Sequence, residues 1–146
     1  MTLKNLLGSS LEAIEPDAAN IQRLLEAAQR NLDDAQLAAL SNENRFDAAY
    51  KAIMQLANLS LQAEGYRTLT SKPGHHRTMI QLLTKTVGLD SETMILLDAL
   101  RKQRNVADYS GDPVPNSAVD ECFRRAVKLD TQVREWLNLE HPDLLK

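Results

Sequence analysis

The sequence places one arginine on the apolar face of a predicted helix, and this residue is the strongest candidate for chemistry. Arg104 follows Leu97 by seven residues and so lies only about 20° from it around a helix. A guanidinium in that position needs an anionic partner, and Asp108, one turn further on, is within reach. The same guanidinium is also suited to a phosphate. The spacing leaves open an ion pair that fixes packing and an anion-binding site.

Two adjacent histidines are the second candidate. His75 and His76 stand beside Arg77 at the start of a short predicted helix, where free backbone N–H groups favour an anion. Histidine titrates near neutral pH and therefore suits acid–base work. Adjacent helical side chains diverge by about 100°, and no cysteine or carboxylate lies at a ligand spacing from the pair. We expect neither a metal site nor a cofactor.

The composition indicates helices as the elements that must position these residues. Leu (24) and Ala (17) far outnumber Val and Ile (11 together), which favours helix over strand. Glycines and prolines mark the breaks between elements. We predict four long helices and one short helix near 76–86, the long ones running over about 18–39, 44–64, 91–109 and from 117 onward. The first two should form an αα-hairpin, and Ser91 can cap the third long helix.

The apolar patterns of these helices predict an all-α fold, an antiparallel helical bundle of four long helices plus a short one. The first and last helices carry narrow apolar stripes at three–four spacing, typical of helices that pack at small crossing angles. The second helix is apolar over a wider arc and is expected to be central. We treat residues 1–146 as one domain, with an N-terminal extension (1–16) and a C-terminal tail (138–146).

Charge and cysteine usage narrow the environment and the partners. The net charge of −3 argues against a protein that coats nucleic acid. Seven basic residues against three acidic ones between Arg67 and Arg104 can nevertheless form a local anion-binding surface. A single Cys and the lack of a long apolar run indicate a cytoplasmic protein with no membrane contact.

Several short motifs together resemble the HEPN superfamily. They are Arg104-Asn105 followed by Asp108-Tyr109, the segment 45–50 (Arg-Phe-Asp-Ala-Ala-Tyr), and the loop segments 65–67 (Gly-Tyr-Arg) and 74–78 (Gly-His-His-Arg-Thr). The resemblance implies a helical bundle that is often a homodimer. It also implies a place in a toxin–antitoxin or defence system, as an RNase or as the partner of a small nucleotidyltransferase or an antitoxin.

The chain departs from the pattern of the active HEPN RNases at one position. In those enzymes four to six residues separate the Arg from a His, whereas the corresponding positions of this chain are Tyr109, Ser110 and Gly111. RNA cleavage without a metal needs a group that titrates near neutral pH, and tyrosine, with a pKa near 10, suits that badly. The resemblance alone does not supply a complete nuclease site.

Three hypotheses follow. The first is a HEPN-like binding or regulatory module that recognises an RNA phosphate, a nucleotide or a protein partner, using Arg104, Asn105, Asp108, Tyr109 and Arg77. The second is a metal-independent RNase in which His75 or His76 works with Arg104. In the third, the Arg104–Asp108 pair serves only packing, and removing Arg104 from a buried pair would cost about 3–5 kcal/mol.

Overall fold

A computed structural model describes residues 2–71 and 74–146 and is predominantly helical. This confirms the predicted helical class. Within these residues lie five helices, α1 (Ala18–Ala35), α2 (Asn42–Ala63), α3 (His75–Leu82), α4 (Ser91–Ser110) and α5 (Asn116–Glu140). Two short strands, β1 (Leu11–Ala13) and β2 (Tyr66–Thr68), and two 3-10 turns, Leu3–Leu6 and Pro142–Leu145, complete the described elements.

Side-chain caps define where the long helices begin. The Asp17 carboxylate caps α1 and the Ser41 hydroxyl caps α2, each accepting a hydrogen bond from a backbone N–H in the first turn. The sequence suggested Ser91 as the cap of α4. The cap is instead Asp90, whose carboxylate accepts from the N–H of Thr93 at 3.1 Å, so that Ser91 is the first helical residue.

Helices α1 and α2 form the predicted αα-hairpin. Asn20, at the start of α1, donates to the amide oxygen of Gln62 at the end of α2. At the other end of the hairpin, Arg45 Nε donates to the carbonyl of Ala35 at 2.8 Å. The two helices are therefore antiparallel, and Arg45 satisfies one of the carbonyl groups left open at the end of α1.

Helix α5 runs in the same direction as α2. Its Cys122 Sγ donates to the carbonyl of Phe46 near the start of α2, at 3.8 Å. His141, just beyond the end of α5, lies 3.3 Å from the carboxylate of Glu64 at the end of α2. In this bundle the antiparallel relation holds for α1 and α2, whereas α2 and α5 are parallel.

The core is built around α2, as its wide apolar arc predicted. Helices α1, α3, α4 and α5 all contact α2. The predicted stripes of the flanking helices are buried, in α1 as Ile21, Leu25, Ala28, Leu32 and Ala35, and in α5 as Val119, Cys122, Ala126, Leu129 and Val133. At the end of the α5 stripe, Leu137 is fully buried and Trp136 only partly so.

A small sheet ties the N-terminal segment to the body of the fold. Strand β1 pairs antiparallel with β2, and Leu11 stands opposite Thr68. The sequence predicts an extension over β1 and a loop over β2, because three-residue strands leave no readable alternation. At the other terminus, Gln22 of α1 donates to the carbonyl of Lys146 at 2.8 Å. Both terminal segments therefore pack on α1 or the core.

Truncating Leu11 should destabilise the whole fold. Its side chain is 0% exposed, whereas that of nearby Leu7 is 40% exposed. We expect Leu11→Ala to lower the free energy of unfolding by about 2–4 kcal/mol, the range for a buried leucine, and the control Leu7→Ala by less than about 1 kcal/mol. Urea unfolding followed by circular dichroism measures both. If Leu11→Ala lowered the free energy of unfolding as little as Leu7→Ala does, the Leu11 side chain of β1 would contribute little to the core.

Candidate functional site

The last turns of α4 are held against the first turn of α2. Gly111 ends α4 with a φ of 70°, a left-handed conformation that glycine adopts without strain. In the loop that follows, the Val114 N–H donates to the carboxylate of Glu43 at 3.2 Å, and the Val114 carbonyl accepts from Asn42 Nδ2 at 3.0 Å. The pKa of Glu43 is lowered first by a hydrogen bond from its own backbone N–H and then by the one from Val114. The bonds from Glu43 and Asn42 to the backbone of Val114 fix the position of the α4–α5 loop.

Arg104 bridges α2 and α4. Its Nε lies 3.1 Å from Asp47 Oδ1 on α2 and 3.7 Å from Asp108 Oδ2 on its own helix. Its guanidinium also lies 5.1 Å from the centroid of the Tyr50 ring, within the range of a cation–π contact. The pair with Asp108 that the spacing predicted is present, but Asp47 is the closer partner. The Arg104 side chain remains 28% exposed.

Arg104 and His76 line the same cavity. The cavity has a volume of about 270 Å³ and lies among α2, α3 and α4; its other walls are Tyr50, Lys51, Met54, Gln55, Asn58 and Met79. The buried Tyr50 connects the two sides, because its hydroxyl lies 3.5 Å from His76 Nδ1 while its ring faces Arg104. The sequence left open whether a histidine approaches Arg104, and the fold brings His76 to it.

The other predicted site residues lie around this cavity rather than in its walls. His75 packs edge-on against His76, with ring centroids 4.6 Å apart. Arg77 is exposed on the next position of α3. Asn105 and Tyr109 line a separate shallow groove on the outer side of α4, where Tyr109 is 93% exposed. The structure therefore separates Asn105 and Tyr109 from the cavity that holds Arg104.

Burial sets the protonation of the two groups that face Arg104. Desolvation raises the pKa of Tyr50 to about 12, despite the opposing effect of the Arg104 charge. The pKa of His76 is lowered, first by burial and then by the charges of His75, Arg104 and Arg101. At neutral pH, Tyr50 is a hydrogen-bond donor and His76 an uncharged imidazole able to accept a proton.

A second ion-pair cluster on α4 adds positive charge beside the cavity. Arg101 Nε lies 2.8 Å from Asp98 Oδ1, and Lys102 Nζ lies 3.6 Å from Asp98 Oδ2. Burial opposes ionisation of Asp98, but the hydrogen bond and charge of Arg101 outweigh it and lower its pKa. One carboxylate thus faces two cations, which leaves this side of α4 basic.

Sequence reasoning missed the polar residues that α2 contributes. Asp47 and Tyr50 were named only within the segment 45–50 that carries the resemblance. Lys51, Gln55 and Asn58 were not predicted to belong to a site, yet they line the cavity. A signal was available, because Asp47, Lys51 and Gln55 recur at intervals of four and form one polar line on a helix that is otherwise largely buried. Such a line on a central helix marks the side left open to solvent or to a ligand.

The single cysteine, Cys122, takes no part in this site. Cys122 is fully buried under α2, and burial raises the pKa of its thiol to about 12. Among residues 2–71 and 74–146, no three histidine, cysteine or acidic side chains are grouped so that they could hold a metal ion. No helix in the described part of the chain is long and apolar enough to span a membrane.

Comparisons of the chain with models of known families, with curated proteins and with solved structures returned no match. The cavity between α2, α3 and α4 and the groups that line it are the features that indicate a function. Those groups are a guanidinium, an ammonium, an uncharged imidazole and a phenol within one small volume. The set is typical of a site that binds an anion and moves a proton.

The lowered pKa of His76 should make the fold less stable in mild acid. Below the ordinary pKa of about 6.5, the unfolded chain binds a proton that the folded His76 resists, so stability falls as the pH drops from 7 towards the lowered value. His76→Gln should flatten this part of the profile, measured as unfolding free energy at pH 5, 6, 7 and 8. An NMR titration of the His76 ring with a midpoint at or above 6.5 would contradict the assignment.

Proposed function

We propose that this chain is a HEPN-like binding module whose cavity between α2, α3 and α4 holds a phosphate of RNA or of a nucleotide. The observation that carries the proposal is that Arg104, Lys51 and His76 line one cavity. A guanidinium presents paired N–H donors that match two phosphate oxygens, and the lysine adds a second positive charge. Tyr50, protonated at neutral pH, donates a further hydrogen bond from the cavity wall.

The existing partners of Arg104 leave room for such an anion. Asp47 and Asp108 are both in contact with solvent, and Arg104 itself is partly exposed. Ion pairs at such positions contribute about 0–1 kcal/mol, far less than the several kcal/mol of a buried pair. An incoming phosphate can therefore replace a carboxylate at little cost. The same partial exposure disfavours the hypothesis that Arg104 serves packing alone.

The resemblance to the HEPN superfamily supports the same site. Its two most informative segments, 45–50 on α2 and 104–109 on α4, are distant in sequence but meet through Asp47, Tyr50 and Arg104. The segment 74–78 brings His76 to the same place. By this resemblance, the partner of the module would be an antitoxin or a small nucleotidyltransferase.

A second function, metal-independent RNA cleavage, is favoured by the position of His76. An uncharged imidazole beside a bound phosphate can take the proton of the ribose 2′-hydroxyl. The 2′-oxygen then attacks phosphorus and the bond to the 5′-oxygen breaks, giving a 2′,3′-cyclic phosphate and a 5′-hydroxyl whose proton comes from solvent. Arg104 would stabilise the negative charge that builds up on the phosphate oxygens. His76, not Tyr109, fills the role of the missing histidine.

Labelled single-stranded RNA, incubated without metal, tests both functions at once. We expect Arg104→Ala to weaken binding roughly 10- to 100-fold, as for the loss of a charge-assisted hydrogen-bond pair. His76→Gln should leave binding nearly unchanged and abolish any cleavage. The matched control is Arg124→Ala on α5, an exposed arginine outside the cavity.

Two outcomes would count against these assignments. If Arg104→Ala binds RNA as well as Arg124→Ala does, the cavity is not the phosphate site. If wild-type protein binds RNA without cleaving it, the nuclease function is wrong and the binding module stands. Cleavage that survives His76→Gln would move the catalytic base to another residue.

We also propose that the module is a homodimer that pairs through the outer face of α4. This face carries Ile95, Val106 and Tyr109, all strongly exposed and spaced by eleven and three residues, which keeps them on one side of the helix. Helix α4 buries only Leu97 and Leu100 within its own chain. A second copy can cover the same stripe by two-fold symmetry, the commonest arrangement of homodimers.

Placing a charge on this stripe should dissociate the dimer. Val106 is 64% exposed, so Val106→Glu removes little packing within one chain, yet it would bury a charge between two copies. Light scattering after size-exclusion chromatography should give a dimer for wild type and a monomer for Val106→Glu. The control Val127→Glu, 39% exposed on α5, should remain dimeric. A monomeric wild-type protein would refute the α4 interface.

A further inference from the structure

A second hollow opens directly beside the phosphate cavity. It lies between α1 and α2, has a volume of about 480 Å³, and is lined by polar groups that include Arg30, Asn31, Asp33 and Asp34. Lys51 and Gln55 of α2 line both this hollow and the cavity of Arg104. The two spaces are therefore neighbours on either side of one turn of α2.

The sizes of the two spaces indicate different occupants. Sites for small organic ligands usually measure about 300–1,000 Å³, and the cavity at Arg104, at about 270 Å³, lies just below that range. It can take a phosphate group with part of a sugar. The hollow between α1 and α2 is inside the range, so the remainder of a nucleotide or the next nucleotide has room there.

The hollow adds carboxylates and a further amide to the polar groups that it shares with the cavity. Asn31 Nδ2 donates to Gln55 Oε1 at 2.8 Å, which leaves the Asn31 oxygen as an acceptor and the Gln55 amide nitrogen as a donor. Asp33 accepts from Gln29 at 3.0 Å, and the neighbouring Asp34 adds a second, exposed carboxylate. Donors and acceptors side by side are typical of sites that recognise the edge of a base.

We propose that this hollow is a base-binding subsite for the nucleotide next to the phosphate held by Arg104. The ligand is then a single-stranded RNA of two or more nucleotides, not a mononucleotide, and this assignment rests on the proposed phosphate site. The Asp34 carboxylate favours guanine, because the edge of that base offers two adjacent N–H donors to one carboxylate. Uracil directs two carbonyl oxygens outward and matches the carboxylate less well.

Fluorescence anisotropy with two labelled pentanucleotides, r(UUGUU) and r(UUUUU), tests the subsite in the full chain. We expect wild-type protein to bind the guanine-containing probe at least about fivefold more tightly, the lower end of the discrimination from one bidentate contact. Asp34→Asn replaces an acceptor oxygen with a donor and should abolish that preference. The control Asp143→Asn, an exposed carboxylate near the C-terminus, should keep it.

The two assignments fail in different ways. If both probes bind equally well and Arg104→Ala weakens both, the phosphate site stands and the base subsite is wrong. The subsite is equally wrong if the guanine preference persists in Asp34→Asn. If neither probe depends on Arg104, the proposed function itself is wrong and the subsite falls with it.

Discussion

The burial of α2 is the constraint on which the rest of this structure depends. Four other helices contact α2, so most of its polar side chains lie along the lines where its neighbours leave gaps, and the buried Ser60 hydroxyl instead donates to the carbonyl of Leu56. Asp47, Lys51 and Gln55 occupy such a line. Both the cavity shared with α3 and α4 and the hollow shared with α1 open along it. The position of every candidate binding group on α2 follows from the packing of the bundle.

Helix α4, in contrast to α2, buries few of its residues. It buries only two leucines, and much of its attachment to α2 is polar, through Arg104 and through the backbone of Val114 in the following loop. An element held by few apolar contacts belongs to the less stable part of a fold. Attachment through a partly exposed ion pair would let Arg104 exchange a carboxylate for the anion proposed to bind there. The outer face of α4 keeps the large apolar side chains of Ile95 and Val106 exposed, and the described part of the chain leaves them largely uncovered.

Much of this architecture could be predicted from the sequence, because it is encoded locally. Periodicity predicts the apolar stripes of α1 and α5 and the central position of α2. The helix stop at Gly111 predicts the end of α4. The closest partner of Arg104 could not be predicted. Asp47 is 57 residues away, and their meeting depends on how far α4 slides along α2, a register that no local pattern specifies. Likewise, His76 reaches the cavity because α3 packs against α2, a contact that no local pattern specifies.

The polar line on α2 also bears on whether Arg104 serves packing or binding. A structural role would need one carboxylate for the guanidinium, and Asp47 alone provides it. The line nevertheless continues from Asp47 through Lys51 and Gln55 to Asn58, about three turns of helix. Within the chain, Lys51 pairs with Asp47 at 3.5 Å, Gln55 accepts from Asn31 at 2.8 Å and Asn58 accepts from Gln62 at 3.3 Å. These partners use part of the hydrogen-bonding capacity of the line, and the remaining donors and acceptors are available to the ligand proposed for the two spaces.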